Sequence, residues 1–211
     1  YMESNDDDDP LMIFDCDFEE KSSCKYPYDK KRLSSYPPIK YFAGDSLFEI
    51  TGDLRPPWRW LIVAPKNSGT ELHVDPLGTS AWNTLLAGIK LWAVLPKGVT
   101  AEPTLADSCG EAGETDMWAN KWFSNIGMRA ARRYPQHRKP VFIVQKQGET
   151  VYIPAGRYHV VLNLTDTVAI TENFAAEWNF DTIFLTALRK EPEFCRIFYR
   201  KLCEQRKDLA Q

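Results

Sequence analysis

GTELHVDPLGTSAWNTLLAGIK, from Gly69 to Lys90, is the stretch whose reading decides the fold. Residues 70–75 read as a strand, and in a strand residues two apart project from the same face. His73 and Asp75 therefore set an imidazole and a carboxylate side by side. Pro76 to Gly78 breaks the strand. Residues 81–86 and 89–95 read as the arms of a hairpin turning at Gly88, with Lys90 inside the second apolar run. A buried ammonium with no anionic partner is expensive, so Lys90 calls for one.

Working outward, short apolar runs flank this stretch on both sides. Residues 11–14 read as a short buried strand, and 58–64 as a strand rich in aromatic and branched residues. Downstream, strands are expected at 141–145, 150–153, 159–164 and 167–174. Gly148-Glu149, Pro154-Ala155-Gly156 and Thr165-Asp166 punctuate them. Short strands with regular turn signals argue a sandwich or barrel. After Glu177 the period changes, and residues 180–189 and 193–206 read as helices. The expected fold is mainly β, a jelly roll of the double-stranded β-helix, cupin-like kind, with flanking helices and a helical C-terminal tail. One domain spans 1–211, with its core at about 41–176 and the tail at 177–211.

The intervening segments read as surface. Residues 1–9 form an acidic turn, and 19–40 and 96–113 are loops. Residues 41–48 suggest a short helix. Residues 115–126 suggest another, whose stripe of Met117, Trp118, Trp122 and Phe123 fits a core face. The basic segment 129–139 reads as a loop.

Length and composition narrow the classes. At 211 residues the chain can bury a substantial core. A net charge of -3 provides no global basic field for nucleic acid. No apolar run approaches the ~20 residues of a membrane span. Five cysteines, odd in number and without a CxxC pair, favour reduced thiols in the cytosol or nucleus. A start at Tyr1 points to a fragment or a processed form. The sequon at Asn163 lies inside an apolar strand run and reads as incidental.

A second histidine on a predicted strand, His159, completes a set. Two histidines and one carboxylate with open positions form the ligand set of a non-heme Fe(II) oxygenase. A bare HxD arises often by chance, so its companions matter. A 2-oxoglutarate cosubstrate chelates iron through one carboxylate and the keto oxygen, and its other carboxylate needs a cation and hydroxyl donors. Lys90 fits as the cation. Asn83, on the strand leading to Lys90, and Thr171, beyond His159, can join it. Thr70 lies three residues before His73, so sharing its face requires a twist or bulge.

With these residues in view, GTELHVDPLGTSAWNTLLAGIKLWAVLP, GETVYIPAGRYHVVLNL and VAITENFA together resemble the jumonji-C (JmjC) oxygenases. YMESNDDDDPLMIFD and RPPWRW add a likeness to the group of arginine demethylases and lysyl-hydroxylases within them. The resemblance implies His73, Asp75 and His159 as Fe(II) ligands. It implies Thr70, Asn83, Lys90, Thr171 and Tyr1 as 2-oxoglutarate contacts, with O2 as the other cosubstrate. It sets Trp60, Tyr158 and Asn173 on the substrate side, Tyr158 standing where the relatives have Trp. It further implies hydroxylation of lysyl side chains or demethylation of methyl-arginine or methyl-lysine, on proteins such as histones or splicing-related factors, in the nucleus or cytoplasm.

Three alternatives stand beside this. The same core could act on a nucleic acid or small molecule, supported only by the basic residues 129–139 and by Trp118 and Trp122 as exposed aromatics. A non-catalytic binding module usually loses a ligand, and this chain keeps all three. A metal-binding cupin without 2-oxoglutarate has no need of Lys90 and Asn83.

Overall fold

The computed structural model describes residues 7, 9–18, 46–99 and 117–210. Two antiparallel sheets face each other. The first runs β1 (Ile13–Asp15), β2 (Arg59–Ala64), β9 (Thr167–Phe174), β4 (Ser80–Ala87) and β7 (Thr150–Ile153) in that spatial order. The second runs β3 (Gly69–His73), β8 (His159–Asn163), β5 (Ile89–Val94) and β6 (Val141–Lys146). The chain alternates between sheets as it closes, which is the jelly-roll arrangement.

Period-2 alternation sorts each strand between two faces. Trp60, Ile62, Asn83, Lys90, Trp92, His159, Val161, Asn163, Thr171 and Asn173 line the space between the sheets. The intervening residues face outward and are covered. Phe18 packs with Leu61, Trp82, Ile170 and Phe174 over the first sheet. Ala93 and Val160 of the second sheet, with Leu95 just past the end of β5, pack with Trp122, Phe123 and Ile126. One end of the interior is filled by Ala81, Trp92, Val151, Ile153 and Val161, and the other end stays open.

The strands at 150–153 and 167–174 have the expected bounds. Four other expectations need correction. Residues 11–14 are not buried: Leu11 and Ile13 are largely exposed, because β1 is an edge strand with one neighbour. Residues 81–95 do not form a hairpin. β4 pairs with β7 and β9, whereas β5 pairs with β6 and β8. At Gly88 (φ +91°) the chain passes from one sheet to the other. A β-carbon there would lie 2.2 Å from the Asp166 carbonyl oxygen, so the crossing admits only glycine.

Third, residues 128–133 are helical and not loop. α1 (Ala119–Trp122) runs through a π turn, Phe123–Gly127, into α2 (Met128–Arg133). Met, Arg and Ala are strong helix formers, and Gly127 lets the turn close over the Trp122 ring. Fourth, Trp122 is fully buried, which corrects its reading as an exposed aromatic and agrees with the core face expected for its stripe. Of the helix expected at 41–48, residues 41–45 lie outside the described residues, and a 3-10 segment, Leu47–Leu54, begins at its last two positions.

The tail holds α3 (Phe180–Lys190) and α4 (Pro192–Gln205), close to the expected helices. Ile183, Ala187, Phe198 and Leu202 join Leu47, Phe48 and Leu77 in one apolar cluster. Among the described residues no helix is long and apolar enough to cross a membrane.

Candidate metal centre and anion pocket

The open end of the jelly roll holds a cavity of about 290 Å³, near the lower bound for small-molecule sites. His73 and His159 face each other across the β3–β8 ladder as register partners. Asp75 lies beyond the end of β3, not within it. The following proline holds it in an extended conformation, φ -52° and ψ 152°. Its Oδ1 comes 3.8 Å from His73 Nε2 and 3.9 Å from His159 Nε2. The three donor atoms lie within 4.8 Å of one another, a group that could hold a metal ion.

Backbone carbonyls orient both imidazoles. His73 Nδ1 donates to the Glu71 carbonyl at 2.7 Å, and His159 Nδ1 donates to the Arg157 carbonyl at 3.0 Å. A carbonyl only accepts, so the proton sits on Nδ1 and the Nε2 lone pair is free. Burial, reinforced by the neighbouring His73, pushes the His159 pKa down to about 4, although Asp75 pulls the other way. His159 is thus neutral near pH 7, as a ligand must be. Trp92 stacks on the His159 ring at 6.1 Å. Its indole N–H donates to Gln145 Oε1 at 2.8 Å, and Gln145 Nε2 donates to the Asn83 and Glu149 carbonyls. A fully buried glutamine thereby ties both sheets together behind the ring.

Deeper in the cavity lies Lys90, 3% exposed. Burial lowers its pKa to about 8. Among the described residues no hydrogen bond or ion pair holds its ammonium. Thr70 Oγ1, Asn83 Oδ1 and Asp75 Oδ2 are also buried without a partner. Four polar groups lining one cavity therefore lack partners among the described residues. Buried polar atoms without partners are rare in native proteins; of these groups the Lys90 ammonium and the Thr70 hydroxyl can donate to an anion, while Asp75 Oδ2 and Asn83 Oδ1 only accept. Thr70 reaches this wall because the β3–β8 register shifts between Thr70 and His73, the required bulge.

The remaining candidates are less uniform. Thr171 lines the cavity, but its hydroxyl donates to the Trp82 carbonyl at 2.9 Å, leaving only lone pairs for a ligand. Trp60 and Asn173 line it too, Asn173 Nδ2 donating to Thr79 Oγ1 at 2.9 Å. Tyr158 does not line the cavity. It packs against the cluster under α1, because its pleat neighbour His159 points inward. Tyr1 lies outside the described residues.

Asn163 is the cavity residue whose role the sequence reading missed. It donates to Ser68 Oγ at 2.9 Å and accepts from Thr167 Oγ1 at 3.0 Å. At 2% exposure it is closed to glycosylation. Its alternation with His159 and Val161 was the signal for its inward face.

Comparison with known proteins places this geometry in context. Residues 60–174 match the family model described as JmjC domain, hydroxylase. The chain is 35% identical to the bifunctional arginine demethylase and lysyl-hydroxylase psr-1 of Caenorhabditis briggsae, over 100% of this chain and 52% of that protein. It is 37% identical to the lysine-specific demethylase JMJ21 of Arabidopsis thaliana, over 88% of this chain and 19% of that protein. It is 33% identical to the 2-oxoglutarate and iron-dependent oxygenase JMJD4 of Gallus gallus, over 72% of this chain and 36% of that protein. The chain thus spans about half the length, or less, of the curated relatives it matches. Among solved structures it is similar to the Drosophila melanogaster CENP-C cupin domain, with a TM-score of 0.34 and 9% identity over 55% of this chain and 57% of that one. With a family model matched across more than half its residues, the chain belongs to the JmjC domain, hydroxylase family.

Proposed function

We propose that the chain is an Fe(II)- and 2-oxoglutarate-dependent oxygenase that hydroxylates lysyl side chains or demethylates methyl-arginine or methyl-lysine in proteins. The observation that carries this reading is one cavity holding both a convergent His73–Asp75–His159 donor set and a buried Lys90 whose ammonium has no partner among the described residues. Two imidazoles and one carboxylate leave coordination positions open. Bound Fe(II) and 2-oxoglutarate with O2 supply the oxidative chemistry, giving succinate, CO2 and one oxygen atom for a substrate C–H bond.

The chain's own residues bind and orient. His73 and His159 offer Nε2, each held in one tautomer by its backbone carbonyl. Asp75 supplies the anionic ligand. Lys90 neutralises the distal carboxylate of the cosubstrate, with Thr70 and Asn83 as hydrogen-bond partners. Thr171 sets the wall beside them through its bond to Trp82. Tyr1 is a further contact in this reading. The apolar cavity wall formed by Ile62, Trp92 and Val161 excludes water and strengthens the lysine–carboxylate attraction. Trp60 and Asn173 flank the substrate side, and Tyr158 acts on it indirectly, through the backbone of its neighbour His159.

Oxidation of a lysyl carbon leaves a stable alcohol, whereas oxidation of an N-methyl carbon leaves a hemiaminal that releases formaldehyde. One metal site serves both, and substrate position selects between them. We read the chain as one oxygenase domain with residues 41–176 as core and 177–211 as tail. It is set in the nucleus or cytoplasm, consistent with the free thiols of Cys16, Cys195 and Cys203. Its substrates are Lys- and Arg-bearing proteins of the histone or splicing-related kind.

The test is incubation with Fe(II), ascorbate and 2-oxoglutarate plus lysine-rich, methyl-arginine and methyl-lysine peptides, read by mass spectrometry. Gain of one oxygen atom or loss of one methylene group supports the reading. Oxidation of an oligonucleotide or small molecule with every peptide untouched refutes the protein substrate.

A further inference from the structure

Leu77 adopts φ +55°, a left-handed backbone that bulky side chains avoid. It lies two residues after Asp75, in the 3-10 turn Pro76–Gly78. Such strain persists only where the surroundings over-determine it. Here the cause is visible. The Leu77 side chain is buried in the cluster of Leu47, Phe48, Ile183, Ala187, Phe198 and Leu202. That cluster lies where the helical tail packs on the 3-10 segment Leu47–Leu54, and none of its residues lines the cavity.

The turn is pinned on its other sides. Gly78 N–H donates to the Asp75 carbonyl at 2.9 Å, and Gly156 N–H donates to the Gly78 carbonyl at 3.1 Å. Thr79 Oγ1 donates to the Pro76 carbonyl at 2.9 Å while accepting from Asn173. α3 rides directly on both turns of the metal centre, the one after Asp75 and the one before His159. A β-carbon at Gly78 would lie 2.8 Å from Thr186 Oγ1, and one at Gly156 would lie 2.9 Å from Thr182 Cγ2.

We infer that Leu77 is a positioning residue: its burial in the helical tail holds the turn after Asp75 in a left-handed conformation that aims the carboxylate at the two imidazoles. The inference rests on the proposed metal centre. Its consequence is that metal affinity depends on tail residues that never touch the cavity.

The test is Mn(II) binding to the full chain, followed by electron paramagnetic resonance, with far-UV circular dichroism of each metal-free variant as the control for folding. Leu77→Gly relaxes the backbone and removes the anchor. It should weaken Mn(II) binding about 10–100-fold, the range for groups that orient metal ligands. Ile183→Ala, acting from the tail side, should weaken it in the same direction, and Leu77→Met should bind near the wild-type level. A folded Leu77→Gly that binds Mn(II) like the wild type overturns the inference. Should Leu77→Gly not fold, wild-type affinity in Ile183→Ala overturns it instead. Asp75→Ala separates the two levels. If it loses Mn(II) while Leu77→Gly and Ile183→Ala keep it, the tail's role fails and the metal centre stands. If Asp75→Ala also keeps it, the metal centre fails.

Discussion

His73 and His159 are direct cross-strand partners in the β3–β8 ladder, with ring centroids 4.2 Å apart. One strand pairing therefore sets the spacing of two of the three donors, and any disturbance of that ladder is felt at the centre. Gly69, at the start of the same ladder, is the sensitive point. A β-carbon there would lie 2.1 Å from the Val161 carbonyl oxygen and 2.6 Å from Ala119 Cβ. Gly69→Ala must push β3 off β8 or α1 off the sheet. A loss of about 3 kcal/mol is expected, lowering Tm by roughly 6–12 °C at this chain length. An unchanged thermal transition contradicts the close packing.

Lys90 gives a prediction of opposite sign. Its folded pKa, about 8, lies below the ordinary lysine value of 10.5 because burial disfavours the charged form. The unfolded chain therefore binds the proton more tightly between those values, and the metal-free fold gains stability as pH rises through that window. Below about pH 8 the penalty is fully present, on the order of 3 kcal/mol. Lys90→Met should stabilise the metal-free chain at pH 7 by about 2–3 kcal/mol, with the gain over wild type shrinking above pH 8. The same variant should lose most of its affinity for 2-oxoglutarate. Urea unfolding at pH 7 and 9, with a 2-oxoglutarate titration, checks both. A destabilised variant, or an unchanged titration, refutes the role given to Lys90.

Gln145 tests the support behind His159. Gln145→Leu leaves the Trp92 indole N–H and the carbonyls of Asn83 and Glu149 without their buried partner. Each orphaned group costs about 1–3 kcal/mol, so a loss of about 3 kcal/mol or more is expected in urea unfolding. A variant as stable as wild type would show that water or repacking replaces the network.

Strand positions were legible because β2, β4, β8 and β9 are buried along most of their length, so each reads as a short, largely apolar run between turn signals. Pairing was not. The turn signal at Gly88 marks where the chain bends, but the partners of β4 come from β7 and β9, far along the sequence. Pairing across that distance leaves no local trace. The donor set was legible as residue types, though the mechanism of its convergence differs from the reading. Asp75 faces the imidazoles through the Pro76 turn and not through the pleat. The bulge at Thr70 could be inferred, because two inward residues three apart demand one. Residues 128–133 misled because a run of arginines looks solvated, and an exposed helix face is solvated too.

The central claim is tested most directly by succinate release. With Fe(II), O2, 2-oxoglutarate and a substrate peptide, the wild-type chain should form succinate in step with peptide oxidation. His73→Ala and Asp75→Ala should form almost none, since each removes one of three donors. Succinate formation at the wild-type rate by either variant would contradict the account.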